Sequence, residues 1–158
     1  MSKEDLKDVV LIEKRVFKDP WSYRFFKLLL RDLKNYMVTL KLDDEIIGYG
    51  GYHLLKTNTN FLNTPKLYKN IIHLINIAIK PEYQRKGYGT FLLNKLLTSG
   101  VKAGAEYCYL EVRPSNIPAI SFYKKAGFKI IGVIEDYYTK WREDALVMGK
   151  ELKPTFIL

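Results

Sequence analysis

Several residue types that carry chemistry in other proteins are nearly missing from this chain. Of its 158 residues one is cysteine, Cys108. A single cysteine excludes an intrachain disulfide and a cysteine-rich zinc site. Flanked by Tyr107, Tyr109 and Leu110, it reads as a small buried apolar residue. No apolar run reaches the length of a membrane span. The opening Met-Ser-Lys-Glu-Asp lacks the apolar core of a signal peptide. A soluble cytoplasmic protein with no membrane partner is therefore expected. There is no block of five or six like charges, no low-complexity tract and no internal repeat. With charged residues at 27%, close to the usual share, disorder is not expected.

What is present suits one globular domain spanning residues 1–158, with 47% hydrophobic and 14% aromatic residues to build a core. Lysine and arginine outnumber the acids 26 to 17, for a net charge of +9. Such a balance admits nucleic acid, an anionic membrane surface or an anionic small ligand as partner. The basic residues are scattered, as at Lys3, Lys7, Lys14, Arg15, Lys18, Lys27, Arg31 and Lys34. That spacing reads as a solvated basic surface, which also steers a phosphate-bearing ligand inwards. No helix-turn-helix or RNA-binding signature supports a nucleic-acid module.

Periodicity divides the chain into alternating elements. Ser2 or Asp5 caps a helix with apolar positions Leu6, Val9, Val10, Ile12, Val16 and Phe17, broken at Asp19-Pro20. A second helix is expected over Ser22–Leu33, burying Phe25, Phe26, Leu29 and Leu33. Tyr36–Leu42 and Ile46–Tyr52 read as an antiparallel hairpin turning at Asp43-Asp44-Glu45. Thr57–Asn70, polar and containing Pro65, reads as a long loop. Ile71–Ile79 is apolar and β-branched, as in a central strand covered on both faces and ended by Pro81. From Gly87 to Ala103 a helix presents Phe91, Leu92, Leu93, Leu96, Leu97 and Val101. Tyr107–Val112 is a strand, Asn116 begins a helix that Gly127 terminates, and Phe128–Ile134 and Ala145–Met148 supply the last strands. A hairpin first and crossovers later define an α/β fold: a mixed, central twisted sheet with helices on both faces.

The stretch Gln84-Arg85-Lys86-Gly87-Tyr88-Gly89-Thr90 sits between a strand end and a strongly apolar helix. Glycine has no Cβ to hold a phosphate off the backbone. The first helical turn leaves N–H groups and a partial positive charge aimed at an anion. Arg85 and Lys86 add full charges, and Thr90 can donate a hydroxyl. The spacing fits neither the Walker pattern nor a dinucleotide fingerprint. It does match Gln/Arg-x-x-Gly-x-Gly/Ala, and in this the chain resembles the Gcn5-related N-acetyltransferase (GNAT) superfamily, whose coenzyme A signature this is. Leu110–Asn116 and Ala119–Phe128 resemble the second signature of that superfamily. They are most similar to the branch acting on protein N-termini, bacterial ribosomal-protein-alanine acetyltransferases and archaeal N-terminal acetyltransferases. Pro20-Trp21-Ser22 resembles a substrate-loop motif of the bacterial members, and Tyr137-Tyr138 with Glu143-Asp144-Ala145 resembles the branch's C-terminal hairpin. Asp136 stands where an asparagine is often found. The resemblance spans nearly the whole chain. Members commonly begin with a strand before the first helix, but Leu6 already belongs to the helix, so the first strand is expected to be missing or very short.

The resemblance implies acetyl-CoA as acetyl donor. Its binding falls to Gln84, Arg85, Lys86, Gly87, Tyr88, Gly89 and Thr90, the main chain of Ile77 and Ile79, and Asn116 with Tyr123. Transfer from a thioester to an amine needs the amine to lose a proton, the developing oxyanion to be stabilised and the departing thiolate to be protonated. The amine is itself the nucleophile, so Cys108 is not required as one. Glu111 lies mid-strand, facing opposite to Leu110 and Val112. A carboxylate there is costly without a purpose or a partner. It reads either as a salt bridge to Arg113, on the same face by alternation, or as a general base. His73 is a hydrogen-bonded core histidine or, by resemblance to the archaeal members, a second base. Tyr123 is an ordinary core tyrosine or, as the family resemblance implies, the acid that protonates the thiolate. Trp21, Tyr137 and Tyr138 pack in the core or, as the resemblance implies, wall a peptide groove. No metal site is expected.

The leading acceptor is the α-amine of a protein or peptide N-terminus, whose pKa of ~8 is easier to deprotonate than lysine's ~10.4. A small amine such as a polyamine or amino sugar, or a protein lysine, is the alternative within the same chemistry. A non-catalytic acyl-CoA sensor or nucleic-acid-binding module is the alternative outside it. Ribosome proximity is the one nucleic-acid context the resemblance suggests, and the chain is expected as a monomer or weak homodimer.

Overall fold

The computed structural model describes residues 1–56 and 67–153. In chain order the elements are α1 (Leu6–Val16), α2 (Tyr23–Leu29), β1 (Asn35–Leu42), β2 (Glu45–Lys56), β3 (Asn70–Ile79), α3 (Tyr88–Lys102), β4 (Tyr107–Val112), α4 (Ile117–Lys125), β5 (Lys129–Tyr138) and β6 (Glu143–Glu151). The strands form a six-stranded sheet in the order β1-β2-β3-β4-β6-β5. β1 pairs antiparallel with β2, and β6 pairs antiparallel with both β4 and β5. β3 runs parallel to β4, with Ile71, Ile72 and His73 opposite Tyr107, Cys108 and Tyr109. This is the mixed α/β sheet with flanking helices that the sequence predicts. Among the described residues no strand precedes α1. No helix of the described residues is long and apolar enough to cross a membrane.

The chain divides into two compact units, Met1–Leu54 with Leu74–Ser99, and Leu55–His73 with Gly100–Leu158. In the first, the helical spacing of Leu6, Val9 and Ile12 puts all three on the buried stripe of α1, packed with Phe26, Met37, Ile46, Tyr49 and Ala78. In the second, Tyr68, Ile71, Tyr107, Tyr109 and Val147 form the core.

Three expectations need correction. The second helix stops at Leu29, well short of Leu33, which is fully exposed at 100%. Asp32 explains the stop: its side chain accepts the Lys34 N–H at 2.9 Å and its carbonyl accepts the Asn35 N–H at 2.9 Å. That local turn competes directly with helix continuation. Phe25, expected to be buried, is 41% exposed on the outer side of the helix. The loop expected over Thr57–Asn70 lies mostly outside the described residues, but Asn70 is already in β3, its carbonyl accepting the Glu106 N–H at 2.9 Å. The last two strands are longer than their apolar runs: β5 continues past an irregularity after Ile134 to Tyr138, which pairs with Glu143, and β6 runs on to Glu151, which pairs with Tyr107 of β4.

Candidate active site

In the first unit β3 ends at Ile79, and a short 3-10 turn over Pro81–Tyr83 leads into the loop before α3. The turn is braced on both sides. Arg15 grips Glu82 through two 2.9 Å hydrogen bonds, and Lys80 and the Tyr83 hydroxyl each donate to Glu45 at 2.6 Å. Gln84 bends back so that its side-chain amide donates to the Ile79 carbonyl at 2.8 Å. One lone pair of that carbonyl is thus taken by the loop. Arg85 adopts the left-handed region with φ 61°, a conformation that costs a non-glycine residue about 1–3 kcal/mol and tends to be kept at binding sites. Gly87 follows at φ 89°, and a Cβ built there meets nothing within 4 Å.

The space over Gly87 is therefore open, and α3 begins at the next residue. The α3 helix runs for 15 residues, so its first turn presents N–H groups without helical acceptors together with a full macrodipole. Arg85 and Lys86 are exposed beside it. An open glycine, a helix N-terminus and two cations fit a diphosphate group. Trp21 lies in the same unit, half-buried, its ring edge-on to Phe25 at 4.7 Å and tilted against Phe26 at 5.7 Å.

The second unit holds the titratable cluster. In β4 every residue is buried except Glu111, which is partly open to solvent. His73 stands opposite Tyr109 in the parallel register. Two residues further along β4, on the same face, is Glu111. The imidazole stacks flat on the Tyr109 ring, with centroids 4.4 Å apart and planes 3° from parallel. That stacking aims Nε2 at Glu111 Oε2, 2.5 Å away. Arg113, the other partner considered for Glu111, instead pairs with Glu143 at 3.6 Å and lies over the Trp141 ring.

The Glu111 carboxylate is felt by three tyrosines. Burial first, and Glu111 second, raise Tyr109 and Tyr137 above the ordinary phenol value. Burial, Tyr137 and Glu111 push Tyr138 up to about 12. Tyr137 and Tyr138 meet edge to face at 4.9 Å. They follow Asp136, held at φ 51° with its N–H donating to the Asp144 carboxylate at 3.0 Å. Tyr123 is buried on α4 between Phe122 and Phe128, and that burial raises its phenol well above the usual value. Asn116 caps α4, its side chain accepting the Ala119 N–H at 3.3 Å.

Of the residues singled out by sequence, His73, Glu111, Tyr137 and Tyr138 come together, with Tyr123 under the influence of Tyr138. Two supporting contacts are not foreseen by the sequence. Tyr109 orients His73, and its alternation with Glu111 along β4 was the available signal. Glu143 accepts from both the Ser115 N–H and hydroxyl, at 3.3 and 3.0 Å, tying the start of β6 to the segment before α4. No local pattern marks that contact.

The first unit thus carries an open, cationic loop before a long helix, and the second a carboxylate–imidazole pair, the two features that the sequence singles out. Residues 5–128 match the Acetyltransferase (GNAT) family. The chain belongs to that family and is an N-acetyltransferase. It is 34% identical over 149 residues to the N-alpha-acetyltransferase of Sulfurisphaera tokodaii, covering 94% of this chain and 88% of that protein. Its structure is similar to that of the ribosomal-protein-S18-alanine N-acetyltransferase from Escherichia coli, with TM-score 0.79 and 28% identity, covering 97% and 91% of the two chains. It is also similar to Chaetomium thermophilum Naa20 in complex with a bisubstrate analogue, with TM-score 0.80 and 25% identity, covering 98% and 85%.

Proposed function

We propose that the protein acetylates the α-amine of protein or peptide N-termini, with acetyl-CoA as donor. The observation that carries this reading is the 2.5 Å contact between His73 and Glu111, set among Tyr109, Tyr137 and Tyr138. The activities named for the Sulfurisphaera and Escherichia proteins support the same acceptor.

The loop from Gln84 to Thr90 holds the diphosphate, with main-chain groups of Ile77 and the Ile79 N–H taking the pantetheine amides and Asn116 assisting. When bound, acetyl-CoA supplies a thioester open to attack by an amine. Glu111 and His73 remove the proton from the acceptor. With Glu111 ionised, Nε2 of His73 is the donor in the short contact, and in the neutral imidazole Nδ1 is then an acceptor. The pair thus offers two basic atoms, Glu111 Oε1 and His73 Nδ1, with the imidazole plane fixed by Tyr109. Tyr123 keeps its proton through the neutral range because burial raises its pKa, so it is always charged with the proton that the departing sulfur needs. Trp21, Tyr137 and Tyr138 wall the acceptor backbone with flat, rigid surfaces.

Incubation with acetyl-CoA and a set of peptides differing in their first two residues tests the reading. Acetylation of peptide α-amines is expected, undiminished by excess spermidine. Transfer to spermidine in preference to the peptides would overturn it.

A further inference from the structure

We infer that Glu13 is a positioning residue for the acceptor side of the reaction, its buried carboxylate fixing where Trp21 stands. This rests on the proposed role of Trp21 as a wall of the acceptor groove. Glu13 lies on the apolar stripe of α1 and is 1% exposed, as buried as its neighbours Val9 and Ile12. A carboxylate in such a place is costly unless its oxygens are satisfied. Here both are. Oε1 accepts the Trp21 backbone N–H at 2.9 Å. Oε2 accepts the Tyr49 hydroxyl in a short bond and the Asn76 side-chain amide at 3.3 Å. Asn76 uses the same amide to donate to the Tyr49 oxygen at 3.0 Å, closing the network.

All the groups that meet Glu13 are donors, which suits an ionised carboxylate, since it only accepts. Burial raises its pKa while the Trp21, Tyr49 and Asn76 hydrogen bonds oppose the rise. Among the described residues no lysine, arginine or histidine forms an ion pair with it. For packing alone, an apolar side chain at this place with phenylalanine at 49 would serve as well. What a carboxylate adds is a fixed acceptor for one N–H, at the residue just before the α2 cap Ser22. The Trp21 ring is then set from the other side by Phe25 and Phe26, and Phe26 itself packs edge-on against Tyr49 at 5.4 Å. One residue of the acceptor wall is thereby held by its backbone and its ring against a single buried network.

The test compares four variants, using the best peptide substrate and acetyl-CoA. Glu13→Leu removes the acceptor for Trp21 N–H and is expected to raise the peptide KM about tenfold, the weight of one hydrogen bond to a charged group, leaving the acetyl-CoA KM unchanged. Glu13→Gln can still present its amide oxygen to Trp21 N–H and is expected to restore the peptide KM. Tyr49→Phe disturbs the network but leaves the Trp21 bond, so it should lower Tm without moving the peptide KM. Should Glu13→Leu fail to melt cooperatively, Glu13→Asp, one methylene shorter, is read by the same criterion. In a Trp141→Phe background Trp21 is the sole tryptophan, and its emission should shift with the peptide KM across the series. A folded Glu13→Leu or Glu13→Asp protein with unaltered peptide KM, or an equal rise in the acetyl-CoA KM, overturns the inference while leaving the acceptor assignment intact. A wild-type protein that acetylates no peptide α-amine overturns both.

Discussion

Replacing Glu111 by glutamine is the most informative single perturbation. The carboxylate is 12% exposed and lies 2.5 Å from His73 Nε2, and glutamine keeps its shape and can still accept from the imidazole. Stability should therefore change by no more than about 1 kcal/mol. What is lost is a proton acceptor, worth about 10²–10⁴ in rate for general-base catalysis, or about 3–5 kcal/mol of barrier. Solvent can return part of that loss. With an α-amine pKa of ~8, about a tenth of the acceptor is neutral at about pH 7 and about nine tenths at about pH 9. The ratio of wild-type to variant kcat should then narrow by about tenfold over that interval. The assay is coenzyme A release at saturating peptide across the range, with Tm measured in parallel. A variant kcat within about threefold of wild type, or a deficit that does not change with pH, would refute Glu111 as the base.

Three further outcomes follow from the same geometry. Tyr123→Phe should lower kcat about 10²-fold with the peptide KM unchanged, read by steady-state kinetics on a protein with native circular dichroism. Gly87→Ala forces a Cβ onto a residue at φ 89°; it should cost about 1–2 kcal/mol and weaken coenzyme A binding in calorimetric titration while sparing the peptide KM. Burial holds Tyr49, Tyr109, Tyr123 and Tyr138 above the ordinary phenol value. Groups whose folded pKa is raised contribute stability that is fully present below the unfolded value, ~10, and is lost as pH rises through the folded one. Stability should thus fall above about pH 10, with tyrosinate absorbance of the native protein lagging that of the urea-unfolded chain; coincident titration curves would contradict it.

The elements that local periodicity controls were legible before any coordinates. The stripe of α1, β1, the apolar β3 and the span of β4 all appear within a residue or so of expectation, whereas β2, expected to end at Tyr52, runs on to Lys56. Misreadings arose where a side chain competed with the backbone or where pairing extended a strand. Asp32 ends α2 by capturing the Lys34 N–H, which apolar spacing at Leu29 and Leu33 does not reveal. β5 reaches Tyr138 because Tyr138 pairs with Glu143 beyond the local irregularity, a tertiary effect. At the site, residue types and order pointed to Glu111 and His73, but not to their direct contact. Their register across β3 and β4 makes that contact, 38 residues apart in the chain. Glu13 was the most readable omission. It sits four residues after Val9 on the stripe of α1, where a charged residue among apolar ones signals a buried partner.

The acceptor assignment is tested most directly by locating the acetyl group on one peptide that carries both a free α-amine and an internal lysine, beside a copy whose N-terminus is already blocked. Fragment mass spectra should place the acetyl group on the first residue of the free peptide and find none on the blocked one. Acetylation of the internal lysine at equal rates in both peptides would contradict an N-terminal acceptor, whatever the fate of Glu111.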